Sequence, residues 1–374
     1  MKPLHSLLLP VARPSFSRLL RRFAGLLIFT LTFTFPFALT LSAASSDPVG
    51  VLRLKLRGNS DTVVSLPLHR PALVEAQLTD RAGNTLTLDS TIPPLPAGGA
   101  YALVMTGSLE GAVLPIASAH HTNITLDPAA DDLTALTFND TLAIIPYWTL
   151  DTVFPAGAGA HPSASPTNLS TEIHLFDGQD SGIQLAATGR YFYFAGNASK
   201  AAGWYKVGAT ASPCGSTRLA PGQHFLVRHN IATDSELMVA GAVQMAKFRI
   251  PLHLRSANTD QDNLVALPVP TPISLGDSQL VSSGAFVASP SPTNTRDILM
   301  VFDNATVARQ KVASARYFYF SGNASKPAGW YKIGSTTTTS DDVLLSPGEG
   351  FIIRKYRAAS PRTDVWHGLP PFLQ

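Results

Sequence analysis

Cysteine is almost missing from this chain of 374 residues: Cys214 is the only one. A single thiol excludes an intrachain disulfide framework and any metal site that needs several cysteines. Charge is scarce as well, at 14% of residues, where an average soluble protein has roughly 25%. Lys and Arg together number 28 and Asp and Glu 25, a formal net charge of +3. That positive sign is local. Lys2, Arg13, Arg18, Arg21 and Arg22 lie within residues 1–44, which carry no acid, so the remainder holds 23 basic and 25 acidic groups. No cationic face is left to follow a phosphate backbone, and nucleic acid is excluded as a partner. Glutamate numbers only 5 against 20 aspartates, and lysine only 9. Glu and Lys populate helix surfaces, whereas Asp favours turns. No window of twelve or more residues shows a helical period free of Pro and Gly. Catalytic signatures are missing too. There is no Gly-x-Ser-x-Gly elbow, no His-Glu-x-x-His, no phosphate-binding loop and no dinucleotide fingerprint.

What is present begins with an export signal. Arg18, Arg21 and Arg22 precede an uncharged run over residues 23–41, followed by Ser42, Ala43 and Ala44. Basic, then apolar, then small is the layout of a secretory signal peptide, assigned to residues 1–44. Cleavage is expected after Ala43 or Ala44. The alternative is an uncleaved anchor, since the run approaches the ~20 residues that span a bilayer. After signal cleavage no membrane span is expected, because no later segment is long and apolar enough.

Short alternating patterns predict strands. In residues 51–57 leucines alternate with cations, which places Leu52, Leu54 and Leu56 on one face. Leu86-Thr87-Leu88 follows the turn-prone Ala82-Gly83-Asn84 and reads as the second strand of a hairpin. Residues 101–106, 123–126 and 142–145 are further strand candidates. With 27 Gly and 29 Pro spread throughout, the mature chain is expected to be all-β.

Self-similarity is the strongest signal. Residues 190–208, RYFYFAGNASKAAGWYKVG, recur as residues 316–334, RYFYFSGNASKPAGWYKIG, with 16 of 19 positions identical at an offset of 126. The offset also aligns 165–168 with 291–294 (SPTN in both), Phe176-Asp177 with Phe302-Asp303, and Arg228 with Arg354. Upstream, residues 61–71 match residues 262–272 at an offset of 201. The difference of 75 marks an insertion. The expected organisation is two homologous β-sandwich or barrel-like domains. The first is discontinuous, 45–71 plus 147–249, and is interrupted by a small β-domain over 72–146. The second covers 250–374.

The repeated motif reads as an aromatic hairpin. Tyr191 and Tyr193 share one face, Phe192 and Phe194 the other. Gly196-Asn197 opens a turn, and Trp204-Tyr205-Lys206-Val207 returns. This hairpin is the candidate binding site: Trp204, Tyr205, Trp330 and Tyr331 to stack on a sugar ring or a partner's side chain, with Asn197, Lys206, Asn323 and Lys332 to supply hydrogen bonds. The competing reading makes the rings core and the Asn and Lys residues solvated turn decoration. His161, His174, His224 and His229 align with Val287, Met300, Gly350 and Lys355, so no histidine belongs to a duplicated site. His120-His121 lies near Asp127, Asp131 and Asp132, but adjacent residues on a strand point to opposite faces. Asp177-Gly-Gln-Asp180 is a fragment of a calcium loop without the full set of oxygen ligands. No catalytic residue, metal or cofactor is assigned.

The signal segment, residues 61–71, residues 144–154 (IIPYWTLDTVF), the SPTN elements, the two aromatic hairpins and residues 262–268 together resemble an uncharacterised family of paralogous exported proteins of verrucomicrobial bacteria. The resemblance covers nearly the whole mature chain. It implies export and a periplasmic, cell-surface or extracellular setting, and it carries no assigned activity. The expected function is a non-enzymatic envelope or extracellular protein acting by binding or assembly, with an envelope polysaccharide or a protein as candidate partner. The alternatives are a polysaccharide-binding module or polysaccharide-active enzyme, and a self-assembling surface-layer component.

Overall fold

In the computed structural model, residues 48–127, 133–176 and 178–374 are described. They belong to one compact unit. The export-signal segment and Asp177 lie outside the described residues. The chain begins with β1 (Val49–Leu56) and β2 (Asp61–Val64). Six strands follow: β3 (Val74–Ala82), β4 (Thr85–Leu88), β5 (Ala100–Val104), β6 (Val113–His120), β7 (Asn123–Leu126) and β8 (Thr141–Pro146). Next come β9 (Trp148–Thr149), β10 (Thr171–Leu175), β11 (Gly189–Phe194), β12 (Gly203–Lys206), β13 (Arg218–Leu219), β14 (Phe225–His229) and β15 (Ser235–Ala242). The rest are β16 (Phe248–Leu254), β17 (Gln261–Ala266), β18 (Ile273–Ser274), β19 (Ile298–Val301), β20 (Ala315–Phe320), β21 (Gly329–Lys332), β22 (Leu344–Leu345), β23 (Gly350–Lys355) and β24 (Arg362–Gly368). Among the described residues helix is confined to single turns such as Leu150–Val153. The chain is all-β, as its composition leads one to expect.

Strands β3 to β8 close into a barrel in the order β3-β4-β7-β6-β5-β8. Closure leaves no open sheet edge. Leu78, Leu86, Leu114, Ile124, Leu142 and Ile144 fill the interior. β5 and β8 bury their outer faces too, where Tyr101, Leu103, Ala143 and Ile145 form a second cluster with Tyr147. The β3–β4 hairpin turns at Gly83-Asn84, with Gly83 at φ 62°, a conformation that costs glycine little.

Two five-stranded antiparallel sheets flank this region, ordered β12-β11-β10-β14-β2 and β21-β20-β19-β23-β17. Each faces a two-stranded ribbon, β1–β15 in the first case and β16–β24 in the second. The alternation in β1 explains its seating. Leu52 and Leu56 are buried against Val64, Phe225 and Leu237, while Arg53 and Lys55 face solvent beside Glu236 and Asp234. Burying one such leucine contributes roughly 1.5–3 kcal/mol. In the second ribbon Phe248, Ile250, Leu252 and Trp366 join Val265, Leu299 and Phe351.

The two sheets clasp each other reciprocally. The loop between β19 and β20 reaches the edge of β2: Asp61 N–H donates to Ala308 O (2.8 Å), and Gln310 N–H donates to Asp61 Oδ2 (2.7 Å). The loop between β10 and β11 reaches the edge of β17 in the same way. Asp262 N–H donates to Gly182 O (2.9 Å), and Gln184 N–H to Asp262 Oδ2 (2.9 Å). Ser65 N–H to Gly348 O and Ala266 N–H to Gly222 O, both 2.9 Å, complete the pair. Each aspartate also takes a two-pronged arginine from the adjacent strand, Arg228 on Asp61 and Arg354 on Asp262. A carboxylate of this kind is buried only because every oxygen is engaged.

Candidate functional site

The aromatic hairpins form in the expected register. Phe192 lies opposite Tyr205 and Tyr193 opposite Trp204; Phe318 and Tyr319 pair likewise with Tyr331 and Trp330. Their rings do not reach a ligand. Trp204 is 0% exposed, Trp330 2%, Tyr205 3% and Tyr331 1%. Trp204 packs beside Phe154 and Tyr193 at ring separations of 5.6 Å, and Trp330 lies 4.8 Å from Phe286. On the other face Tyr205 closes a small cluster with Phe192 and Phe194, and Tyr331 does so with Phe318 and Phe320. Both faces of the hairpin are core. The stacking role expected for these four rings is therefore corrected: they hold the sheet together.

The polar members of the motif also have internal partners. Asn197 Oδ1 accepts from the backbone N–H groups of Ser199 and Lys200 and from the Ser199 hydroxyl, at 2.9–3.0 Å. Asn323 does the same with Ser325 and Lys326. Lys200 lies 4.1 Å over the Tyr205 ring and donates to Thr210 O; Lys326 lies 4.1 Å over Tyr331 and donates to Thr336 O. The tyrosine hydroxyls donate back to Ala201 O and Pro327 O, both 3.0 Å. The Asn-Ala-Ser-Lys loop is thus a self-satisfied cap on the aromatic hairpin. Lys206 and Lys332, at the strand ends, are exposed cations, as are Arg190 and Arg316. His120 and His121 are exposed and stack edge-on at 4.2 Å. Among the described residues no three His, Cys, Asp or Glu gather in a metal-binding arrangement. Cys214 is half-buried, and burial raises its pKa.

A cleft of about 380 Å³ opens elsewhere, where the barrel, β16 and β17 meet. That size lies within the usual range of small-ligand sites, about 300–1,000 Å³. One wall is β16. Its buried residues Phe248, Ile250, Leu252 and Leu254 point into the core, so Arg249, Pro251 and His253 share the outer face, continued by Arg255. The opposite wall holds Tyr101 from the barrel, then Tyr147 and Trp148 at the junction of β8 and β9. Trp148 is half-buried and fixed by its indole N–H donating to Leu68 O at 2.8 Å. Tyr147 meets Tyr101 at 5.1 Å and takes the Arg218 guanidinium over its ring at 5.1 Å. The turn 219–223 forms the floor.

Electrostatics in the cleft follow from burial. Desolvation pushes the Tyr147 hydroxyl up to about 12, against the opposing pull of Arg218, and Tyr101 is raised further by the same cause. Both stay neutral hydroxyls at any ordinary pH. Burial lowers His253, and Arg255 adds to the effect. His253 Nδ1 lies 3.0 Å from the Thr363 hydroxyl. The Asp262 carboxylate at the edge is taken by Arg354 and Gln184. An aromatic wall facing two arginines suits a ligand with a flat or ring-shaped body and an acidic group.

Sequence reasoning missed this cleft. The signal for β16, alternation of Phe-Arg-Ile-Pro-Leu-His-Leu over 248–254, was there to read. What places its polar face opposite Trp148 is the seat of the barrel, which no local pattern encodes. Comparison of the chain with protein-family models, curated proteins and solved structures found no match.

Proposed function

We propose that the protein is an exported, non-enzymatic binding protein of the cell envelope or the extracellular space, and that its ligand seat is the cleft between the barrel and β16. The signal-like residues 1–44 support export. In this reading the two five-stranded sheets are copies of one domain, and the barrel is an insert in the first copy. The shared motif, the matching strand orders and the reciprocal Asp61 and Asp262 contacts support it. Among the described residues no helix is long and apolar enough to cross a membrane.

The observation that carries the binding role is the juxtaposition of the half-buried Trp148 with Arg249 and Arg255 around one cleft. The ligand class it favours is an acidic polysaccharide of the envelope. Sugar faces stack on aromatic rings, and carboxylates pair with guanidinium forks. The test is a calorimetric titration of the mature chain with acidic and neutral polysaccharides. Acidic chains are expected to bind, and Trp148→Ala is expected to weaken binding at least tenfold with the circular dichroism spectrum unchanged. Binding that survives Trp148→Ala removes the cleft from the account. Chain cleavage in the same vessel makes the protein an enzyme, and concentration-dependent light scattering without ligand makes it an assembly component.

A further inference from the structure

The second sheet buries a primary amine. Lys355, the last residue of β23, is 0% exposed. Its Nζ touches three oxygens: Ala285 O at 2.5 Å, Asp297 Oδ2, and Asp364 Oδ2 at 3.0 Å. Asp297 is also 0% exposed. It precedes β19, and the ladder that sets Ile298 beside Arg354 brings it opposite Lys355 one step on. Asp364 comes from the facing ribbon, on β24, with its side chain 21% exposed. The Asp297 carboxyl is polarised on both oxygens: Tyr356 N–H donates to Oδ1 at 2.7 Å, and Val287 N–H to Oδ2 at 2.8 Å.

We propose that Lys355 and Asp297 become joined by an intramolecular isopeptide bond that the folded chain forms by itself, with Asp364 as the proton carrier. Burial raises the Asp297 pKa, which favours the neutral carboxylic acid. The Lys355 ammonium passes a proton to the Asp364 carboxylate, and the free amine attacks Cγ of Asp297, forming the C–N bond. The charge that develops on Oδ1 is held by the Tyr356 N–H, an oxyanion-hole arrangement. Through Asp364 the second amine proton reaches the Oδ2 hydroxyl, and the C–Oδ2 bond breaks to release water. Asp364 is left protonated and returns that proton to solvent. No oxidant or co-reactant enters. Amine and carboxyl are held as cross-strand neighbours, which removes the entropic barrier of a bimolecular reaction, and desolvation is what activates a lysine nucleophile.

The first sheet supplies the contrast. The aligned positions are Thr171 and His229, whose hydroxyl and Nδ1 meet at 2.9 Å. A neutral hydrogen-bonded pair therefore fills this place in the fold. A buried lysine with two carboxylates costs desolvation that such a pair avoids. Conversion to an amide removes the buried lysine charge and keeps an N–H donor near Ala285 O and an acceptor at Tyr356 N–H.

Intact-mass spectrometry of the denatured chain tests this, with the mass calculated from the observed N terminus. The expected mass is lower by one water, about 18 Da, and a digest is expected to yield one branched peptide joining the segments that hold Asp297 and Lys355. Asp364→Asn is expected to fold and show the full mass. The double variant Asp297→Thr with Lys355→His places the first sheet's own pair at this site, so it is expected to fold without the link. A folded natural-sequence chain at full mass overturns the proposal, as does loss of water without the branched peptide. An Asp364→Asn chain that links as fast as the natural sequence overturns the relay.

Discussion

Asn197 and Asn323 each anchor a loop through one amide oxygen that accepts three hydrogen bonds. Replacing either by alanine strands two backbone donors and is expected to cost about 1–2 kcal/mol, read from urea unfolding, with polysaccharide binding unchanged. His224 shows a different economy. It aligns with Gly350, and the two positions lie against each other: a β-carbon at Gly350 would collide with the His224 side chain. One member of the pair is a ring only because the other has none. Gly350→Ala is expected to destabilise by about 1–3 kcal/mol, with the loss reduced when His224→Gly is added, because the nearest colliding atom is the His224 β-carbon. Burial holds His224 and His229 down to about 4, against roughly 6.5 in the unfolded chain. The unfolded state therefore binds protons first as pH falls. Their contribution is complete above about pH 6.5 and is lost between 6.5 and 4, on the order of 2–3 kcal/mol for fully buried His224. A plot of melting temperature against pH is expected to fall across that window, and less steeply for His224→Gln.

Among the elements, the hairpins were the most legible in the sequence and the most open to misreading. Alternating Tyr and Phe gave the strand and its two faces, and the Gly196 and Gly203 positions gave the turn. A two-sided aromatic strand is compatible with an exposed stacking platform or with a strand buried on both faces. The pattern within the hairpin does not separate them. Ser163 and Ser289, which bridge to Phe194 and Phe320, and Leu169, which packs on the second face of the first hairpin, lie outside the hairpins, and their docking is tertiary. Trp204→Ala is accordingly expected to cost about 3–5 kcal/mol in equilibrium unfolding and to leave ligand affinity intact where the variant folds. The same limit hid the cleft: the alternation of β16 was readable, but the surface facing Arg249 and His253 belongs to a barrel more than a hundred residues upstream.

At the scale of the molecule, the two sheets exchange loops through Asp61 and Asp262, so each completes the edge of the other. Neither aspartate is fully satisfied within its own sheet. The chain is expected to unfold in one cooperative step in calorimetry, and Asp61→Asn is expected to lower the stability of both sheets together, by about 3–5 kcal/mol. The cleft depends on this assembly, because its walls come from the barrel, the second ribbon and β17 of the second sheet, whose Asp262 takes the loop between β10 and β11. Hydrogen exchange of the mature chain with and without bound acidic polysaccharide measures that dependence most directly. Protection confined to β16, residues 147–148 and the turn 219–223 is the result expected. Protection at the loops around Asn197 and Asn323, with the cleft unchanged, would contradict the account.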